Sequence, residues 1–249
     1  MRNIEFKSGN NETVRGVLYE PTTARPHPAI IFAHGLLSTH DEFGDYPAKF
    51  CARGYLVLAI DFRGHGASDG DYTSLVYFER DDVLAALDYL CARGITRVGL
   101  LGFSMGGAVA LATAALSPLV VGVISDCTFA ELWHITRQAA RRRGVPEPFA
   151  LVAGWLIVLF ASMRLRANLF SADPVRWIGK IAPRPVLIMH GAADSDVPVA
   201  AANQLWRAAR EPKELWLVPG ATHRKIEEVA REEYRQRVVE FFERAFENQ

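Results

Sequence analysis

Short apolar segments of strand length recur along the chain at Ala29–His34, Tyr55–Asp61, Val98–Gly102, Val121–Asp126, Val186–His190 and Glu214–Val218. Most are continuous runs rather than alternations, and a continuous run marks a strand covered on both faces. Helical patterns lie between them across Tyr77–Arg93, Met105–Leu116 and Val199–Arg210, with a long amphipathic one from Lys225 to Phe246. Strand alternating with helix predicts a parallel, doubly wound sheet. Ile4–Lys7 and Val14–Tyr19 precede this pattern and flank the polar turn Gly9-Asn10-Asn11. They predict an antiparallel hairpin at the sheet's edge.

The alternation stops after Asp126. From Thr128 to Lys180 helical patterning continues with no clear strand, which predicts a helical cap inserted into a single domain. The insert is rich in large apolar side chains, among them Trp133, Phe149, Trp155, Phe160, Met163 and Trp177. Arg141-Arg142-Arg143, close to Pro146 and Pro148, marks a loop between its helices. The longest apolar run, Phe149 to Met163, would span only about 22 Å as a helix, short of the roughly 30 Å of a bilayer's hydrocarbon core. It does not predict a spanning helix.

The chain has 249 residues, with 28 Lys+Arg against 28 Asp+Glu. That balance argues against a nucleic-acid partner. Half the residues are hydrophobic and 22% are charged, the composition of one large globular domain rather than a disordered chain. Cys51, Cys91 and Cys127 form an odd, sparse set without metal-like spacing and read as small buried thiols in a reducing compartment. The amino end, Met1 to Lys7, alternates polar and apolar residues without the hydrophobic stretch of an export signal, so the expected location is cytoplasmic.

The sharpest chemical signal is Gly102-Phe103-Ser104-Met105-Gly106-Gly107, which follows one apolar strand and opens a helical run. Glycines two residues either side of Ser104 allow a tight strand-to-helix turn that leaves the serine hydroxyl above the strand end. The plainer reading makes Ser104 a helix cap. A serine hydroxyl needs a base to take its proton as it attacks. Of the seven histidines, His223 lies in the loop after the last strand, at the edge where strand carboxyl ends gather and where Ser104 must also sit. His34 and His190 each end a strand before a glycine and read as structural. His65 lies in a glycine-rich turn and His134 in the insert, whereas His27 and His40 sit in polar loops and read as solvated.

A base of this kind is oriented by a third group, usually a carboxylate. Asp194 leaves the Val186–His190 strand at the same edge and is the first candidate, with Asp196 and Asp126 as rivals. Negative charge on an attacked carbonyl oxygen is stabilised by preorganised backbone N–H groups. The amide of Met105 is one candidate donor, and the turn His34-Gly35-Leu36-Leu37 offers the amide of Leu36 as the second.

On these residues the chain resembles the α/β-hydrolase superfamily, whose order of nucleophile, acid and base matches Ser104, Asp194 and His223. The likeness extends to His34-Gly35, to the turn Asp61-Phe62-Arg63-Gly64-His65-Gly66-Ala67-Ser68-Asp69-Gly70, and to Gly191 through Pro198. Through Thr73-Ser74-Leu75 to Ala85-Ala86-Leu87-Asp88-Tyr89-Leu90, and through Asp126-Cys127-Thr128-Phe129-Ala130, it is within that superfamily most similar to small intracellular esterases, feruloyl-esterase-like and acylpeptidase-like domains. A serine at 104 disfavours the members that need a carboxylate nucleophile. The resemblance implies a carboxylesterase working through a seryl acyl-enzyme, and the aromatic and aliphatic side chains of the insert suit apolar short to medium acyl or aryl esters. Peptidase, amidase or thioesterase chemistry on the same fold is the alternative, followed by a non-catalytic ligand-binding member.

Gly64-His65-Gly66 lacks both the third glycine and the following helix of a dinucleotide loop, and no phosphate loop or spaced histidine cluster occurs. No cofactor and no metal are expected. The partner expected is a small-molecule ester, and Phe103, Trp133, Trp155 and Phe160 are the candidates for its apolar pocket. Between Glu131 and Ala167 six arginines face only two acids. A solvated helix face explains them, and weak peripheral contact with an anionic membrane surface, or with an acidic substrate tail, is the sharper alternative.

Overall fold

The computed structural model describes residues 1–9, 11–22 and 28–247. His27, and Asn10 of the first turn, lie outside the described residues. Eight strands form one sheet in the order β1-β2-β4-β3-β5-β6-β7-β8. They are β1 (Arg2–Lys7), β2 (Thr13–Tyr19), β3 (Ala29–Ala33), β4 (Leu56–Asp61), β5 (Val98–Phe103), β6 (Val120–Asp126), β7 (Val186–Gly191) and β8 (Lys213–Val218). The β1–β2 hairpin is antiparallel, β2 runs antiparallel to β4, and every later pairing is parallel.

The continuous apolar runs explain this arrangement. Strands β4, β6 and β7 are buried at every position, because alternate side chains enter cores on opposite faces of the sheet. On β4, Leu56, Leu58 and Ile60 join one core while Val57 and Ala59 join the other. Helices α2 (Glu79–Cys91) and α3 (Met105–Leu116) cover the first face. The second face is covered by α1 (Tyr46–Ala52) and by α8 (Arg231–Glu247), the latter through Val238, Phe241 and Phe242. At the edge, β8 is only half-buried along most of its length.

Between β6 and β7 the chain makes the antiparallel pair α4 (Leu132–Arg142) and α5 (Phe149–Leu165), then short 3-10 turns from Leu169 to Lys180. Arg141 and Arg142, expected in a loop, lie in the last turn of α4, and other local expectations also differ from the structure. The pattern from Lys225 to Phe246 is broken at Ala230 into a one-turn α7 (Ile226–Val229) and α8. Helix α6 (Ala200–Ala208) is shorter than its pattern. Cys91 is exposed at the end of α2, unlike the buried Cys127. Among the described residues no helix is long and apolar enough to cross a membrane.

Candidate active site

Ser104 stands alone between β5 and α3, at φ 50° and ψ −110°, a conformation that L side chains rarely adopt. The corner is over-determined around it. Its N–H donates to the Asp126 carbonyl at 2.8 Å, and the Thr128 hydroxyl donates to its carbonyl at 3.2 Å. Gly106 lets α3 press on β3: a Cβ there would sit 2.0 Å from the Ala33 carbonyl oxygen. The strain at Ser104 is held by neighbours with no room to yield.

His223 follows β8 after the Pro219–Thr222 segment, and its Nε2 lies 3.1 Å from Ser104 Oγ. On the other side its Nδ1 lies 2.6 Å from Asp194 Oδ2. A carboxylate oxygen only accepts, so Nδ1 carries the hydrogen and Nε2 keeps a lone pair toward the serine hydroxyl. Asp194 is fixed in turn by the N–H groups of Asp196 and Val197, both donating to Oδ1 at 2.8 Å. Its side chain is fully buried. An alcohol, an imidazole and a carboxylate from three separated loops thus form one hydrogen-bonded chain able to move a proton off Ser104.

The two rival acids are engaged elsewhere. Asp126 Oδ2 accepts the Tyr234 hydroxyl at 2.9 Å, and burial pushes its carboxyl up to about 6. Asp196 is half-exposed and pairs with Arg142. The remaining described histidines have local partners. His34 accepts the Phe62 N–H at Nε2, 3.0 Å away, and donates from Nδ1 to the Gly35 carbonyl at 2.7 Å; burial lowers its pKa to about 4. His190 Nε2 lies 2.8 Å from the Val197 carbonyl, beneath Asp194, and burial lowers its pKa. His65 meets the Arg63 carbonyl, and His134 pairs with Glu131. His40 is not solvated: Asp61 Oδ1 binds both its Nδ1 and its backbone N–H. Nothing local in the sequence announces that partner, which lies 21 residues on.

A cavity of about 360 Å³ opens beside Ser104 and His223, within the usual size of a small-molecule site. Leu36 and Met105 both line it. The turn carrying Leu36 is anchored by Glu42, whose Oε2 accepts the Gly35 N–H at 2.6 Å and whose carboxylate pairs with Arg224, the residue after His223. Sequence reading did not find Glu42 or Arg224, because their pairing joins segments with no shared motif. The apolar walls are Leu75, Phe129 and Ile135, with Gln138, Ala139 and Arg142 of α4. None of Phe103, Trp133, Trp155 and Phe160 lines this cavity. Phe103 stacks on Phe43 beneath the sheet edge, Trp133 and Trp155 stack on each other between α4 and α5, and Phe160 is exposed. A larger cavity of about 530 Å³ between α1 and α8 contains none of the chain Ser104–His223–Asp194.

Cys127, Asp194 and His223 bring ligand atoms within 4.8 Å of one another. The set suits a metal poorly. Burial holds the Cys127 thiol far above its ordinary pKa, against the thiolate a metal needs. Both Asp194 oxygens already accept hydrogen bonds.

Residues 30–241 match the Alpha/beta hydrolase family, a span that takes in β4 through β8 and all of β3 but its first residue. The chain belongs to that family. A curated relative, the uncharacterized protein YqkD of Bacillus subtilis (strain 168), is 31% identical over 220 residues, covering 86% of this chain and 70% of that protein. Among solved structures, the Pyrococcus furiosus esterase Pf2001 is 25% identical, with a TM-score of 0.77 over 98% of this chain and 90% of its own. Est1E from Butyrivibrio proteoclasticus, solved with ferulic acid bound, shares the fold at 20% identity and a TM-score of 0.73, over 96% of this chain and 99% of its own. As an α/β hydrolase, the chain resembles small esterases.

Proposed function

We propose that this α/β hydrolase cleaves carboxylic esters of apolar short to medium acyl or aryl groups through a seryl acyl-enzyme. The observation that carries the reading is the hydrogen-bonded chain from Ser104 Oγ through His223 to Asp194, at 3.1 and 2.6 Å. In this reading Ser104 attacks the ester carbonyl while His223 Nε2 takes its proton. His223 then returns that proton to the departing alcohol, leaving the acyl group on Ser104. Water attacks the acyl-enzyme with His223 again as base, and the acid leaves as Ser104 regains its proton. Asp194 holds the imidazole in the required tautomer and offsets its transient charge. The amides of Met105 and Leu36 are the proposed oxyanion donors, each worth roughly 2.7–4 kcal/mol in such sites. Leu75, Phe129 and Ile135 supply apolar wall for the acyl or aryl group.

Fluorophosphonate labelling followed by peptide mapping tests the nucleophile, and a panel of p-nitrophenyl esters from two to ten carbons tests the substrate class. The expected result is a label on Ser104 and fastest turnover at short to medium chains. A label on Ser104 together with faster cleavage of aminoacyl amides than of any ester would replace the esterase reading with a peptidase one. A label elsewhere would remove both.

A further inference from the structure

Helix α5 is apolar all round, yet only one side of it is covered. Ala150, Gly154 and Val158 face inward, with Gly154 close against α4 at Trp133 and Arg137. Nine of its seventeen residues are exposed large hydrophobics, of which only Trp155 also stacks on α4 through Trp133. Phe149, Val152, Leu156, Phe160 and Met163 follow helical spacing along one stripe, with Phe149 67%, Phe160 61% and Met163 65% exposed. Soluble monomers rarely leave so continuous an apolar face in water. A helix of this composition is normally buried on every side.

Charge at the two ends of the stripe indicates what covers it. Arg143 closes α4 just before the loop that leads to Phe149, and Arg164 and Arg166 stand at the far end of α5, about 25 Å along the axis. Among the described residues, none of these three arginines has an acidic partner within ion-pair distance. Both ends being basic, two copies meeting through this face would set arginine against arginine in either orientation. An anionic lipid surface satisfies both features at once: the stripe enters the boundary between headgroups and acyl chains while the arginines meet phosphate groups. Seventeen residues are too few to span a bilayer, and the inner side is held by α4, so the helix lies in the plane of the surface.

We propose that the exposed face of α5 docks this protein onto anionic membranes. The docking uses neither Ser104 nor His223, so it stands independently of the hydrolase reading.

Flotation of the full chain with vesicles of phosphatidylcholine alone, or with 30% phosphatidylglycerol added, tests it alongside light scattering of the protein in solution. The wild type should float with the anionic vesicles and lose that association at high salt. The double variant Leu156→Glu/Phe160→Glu should stay at the bottom of the gradient while keeping the wild-type circular dichroism. Arg164→Gln/Arg166→Gln, which leaves the stripe intact, should lower partitioning about thirtyfold. Ser104→Ala should float like the wild type. Absence of flotation with anionic vesicles would overturn the proposal, and a dimer dissolved by Phe160→Glu would assign the face to a second copy instead. Equal binding to neutral and anionic vesicles would overturn the role given to the arginines and with it the choice of surface.

Discussion

The Tyr234 hydroxyl donates to Asp126 Oδ2 at 2.9 Å, tying α8 to the end of β6. Asp126 pairs in register with Phe103, one residue from Ser104, so sequence position alone makes it a plausible partner for His223. Burial gives it another character: its carboxyl is pushed up to about 6 from an ordinary 3.8, against the lowering effect of the hydrogen bond from Tyr234.

That shift sets a sign for stability. Between about pH 4 and 6 the native protein holds a proton at Asp126 that the unfolded chain has released, so this group makes stability fall as pH rises through the window and then level off. Asp126→Asn cannot ionise and still accepts from Tyr234. Denaturant titrations at pH 4 and pH 7.5 should show the variant gaining roughly 2–3 kcal/mol relative to wild type at the higher pH. A gap that does not change with pH would mean that Asp126 titrates as an ordinary surface carboxyl.

At Ser104 the usual order of substitutions should invert. Its φ of 50° suits glycine, so Ser104→Gly should be more stable than Ser104→Ala by about 1 kcal/mol, whereas at most sites glycine is the weaker residue. Both variants should lose ester turnover by at least about 10³-fold and lose fluorophosphonate labelling. Thermal melts and labelling gels read the two effects separately.

Asp194→Asn keeps an oxygen for the Asp196 and Val197 N–H groups but turns an amide N–H₂ toward His223 Nδ1. That forces the imidazole into the tautomer with its hydrogen on Nε2, where it can no longer take a proton from Ser104. kcat should drop about 10⁴-fold with little change in melting temperature. NMR of the His223 ring nitrogens would report the exchanged tautomer, and an unchanged spectrum would remove this role for Asp194.

Glu42→Ala leaves the Gly35 N–H and Arg224 without their shared acceptor and frees the turn that carries Leu36. If Leu36 supplies an oxyanion donor, kcat should fall about 10²-fold while KM changes little. Glu42→Gln, which can still accept from Gly35, should recover part of the loss. A fall in KM-dependent binding alone would place Glu42 in substrate recognition.

The parallel sheet was legible because burial on both faces writes itself as unbroken apolar runs, and β3 through β7 follow those runs within a residue or two. Ser104 was legible for a related reason: the corner needs small residues at 102 and 106, where a side chain would meet backbone within 2.3 and 2.0 Å. Helix α1 was not, since Tyr46–Ala52 is a short segment with a proline near its start and too few turns to display a period. The kink at Ala230 was hidden because the apolar spacing of α8 runs on into α7. The lining of the cavity was misjudged toward aromatic residues of the α4–α5 pair. Trp133 and Trp155 are spent on stacking against each other, Phe160 points to solvent, and the smaller Ile135 and Ala139 line the cavity instead.

Helix α4 faces two ways, presenting Ile135, Gln138 and Arg142 to the cavity and Trp133 to α5. The chain enters and leaves this pair only through the ends of β6 and β7, and neither Ser104, Asp194 nor His223 lies between them. One contiguous stretch can therefore be exchanged, lengthened or trimmed without removing any of the three, provided that Thr128 still holds the Ser104 carbonyl and that the hold of Gln138 and Arg142 on the Ser195 carbonyl is kept. Divergence among relatives in what they accept is accordingly expected to concentrate there, with the strand-end loops changing far more slowly.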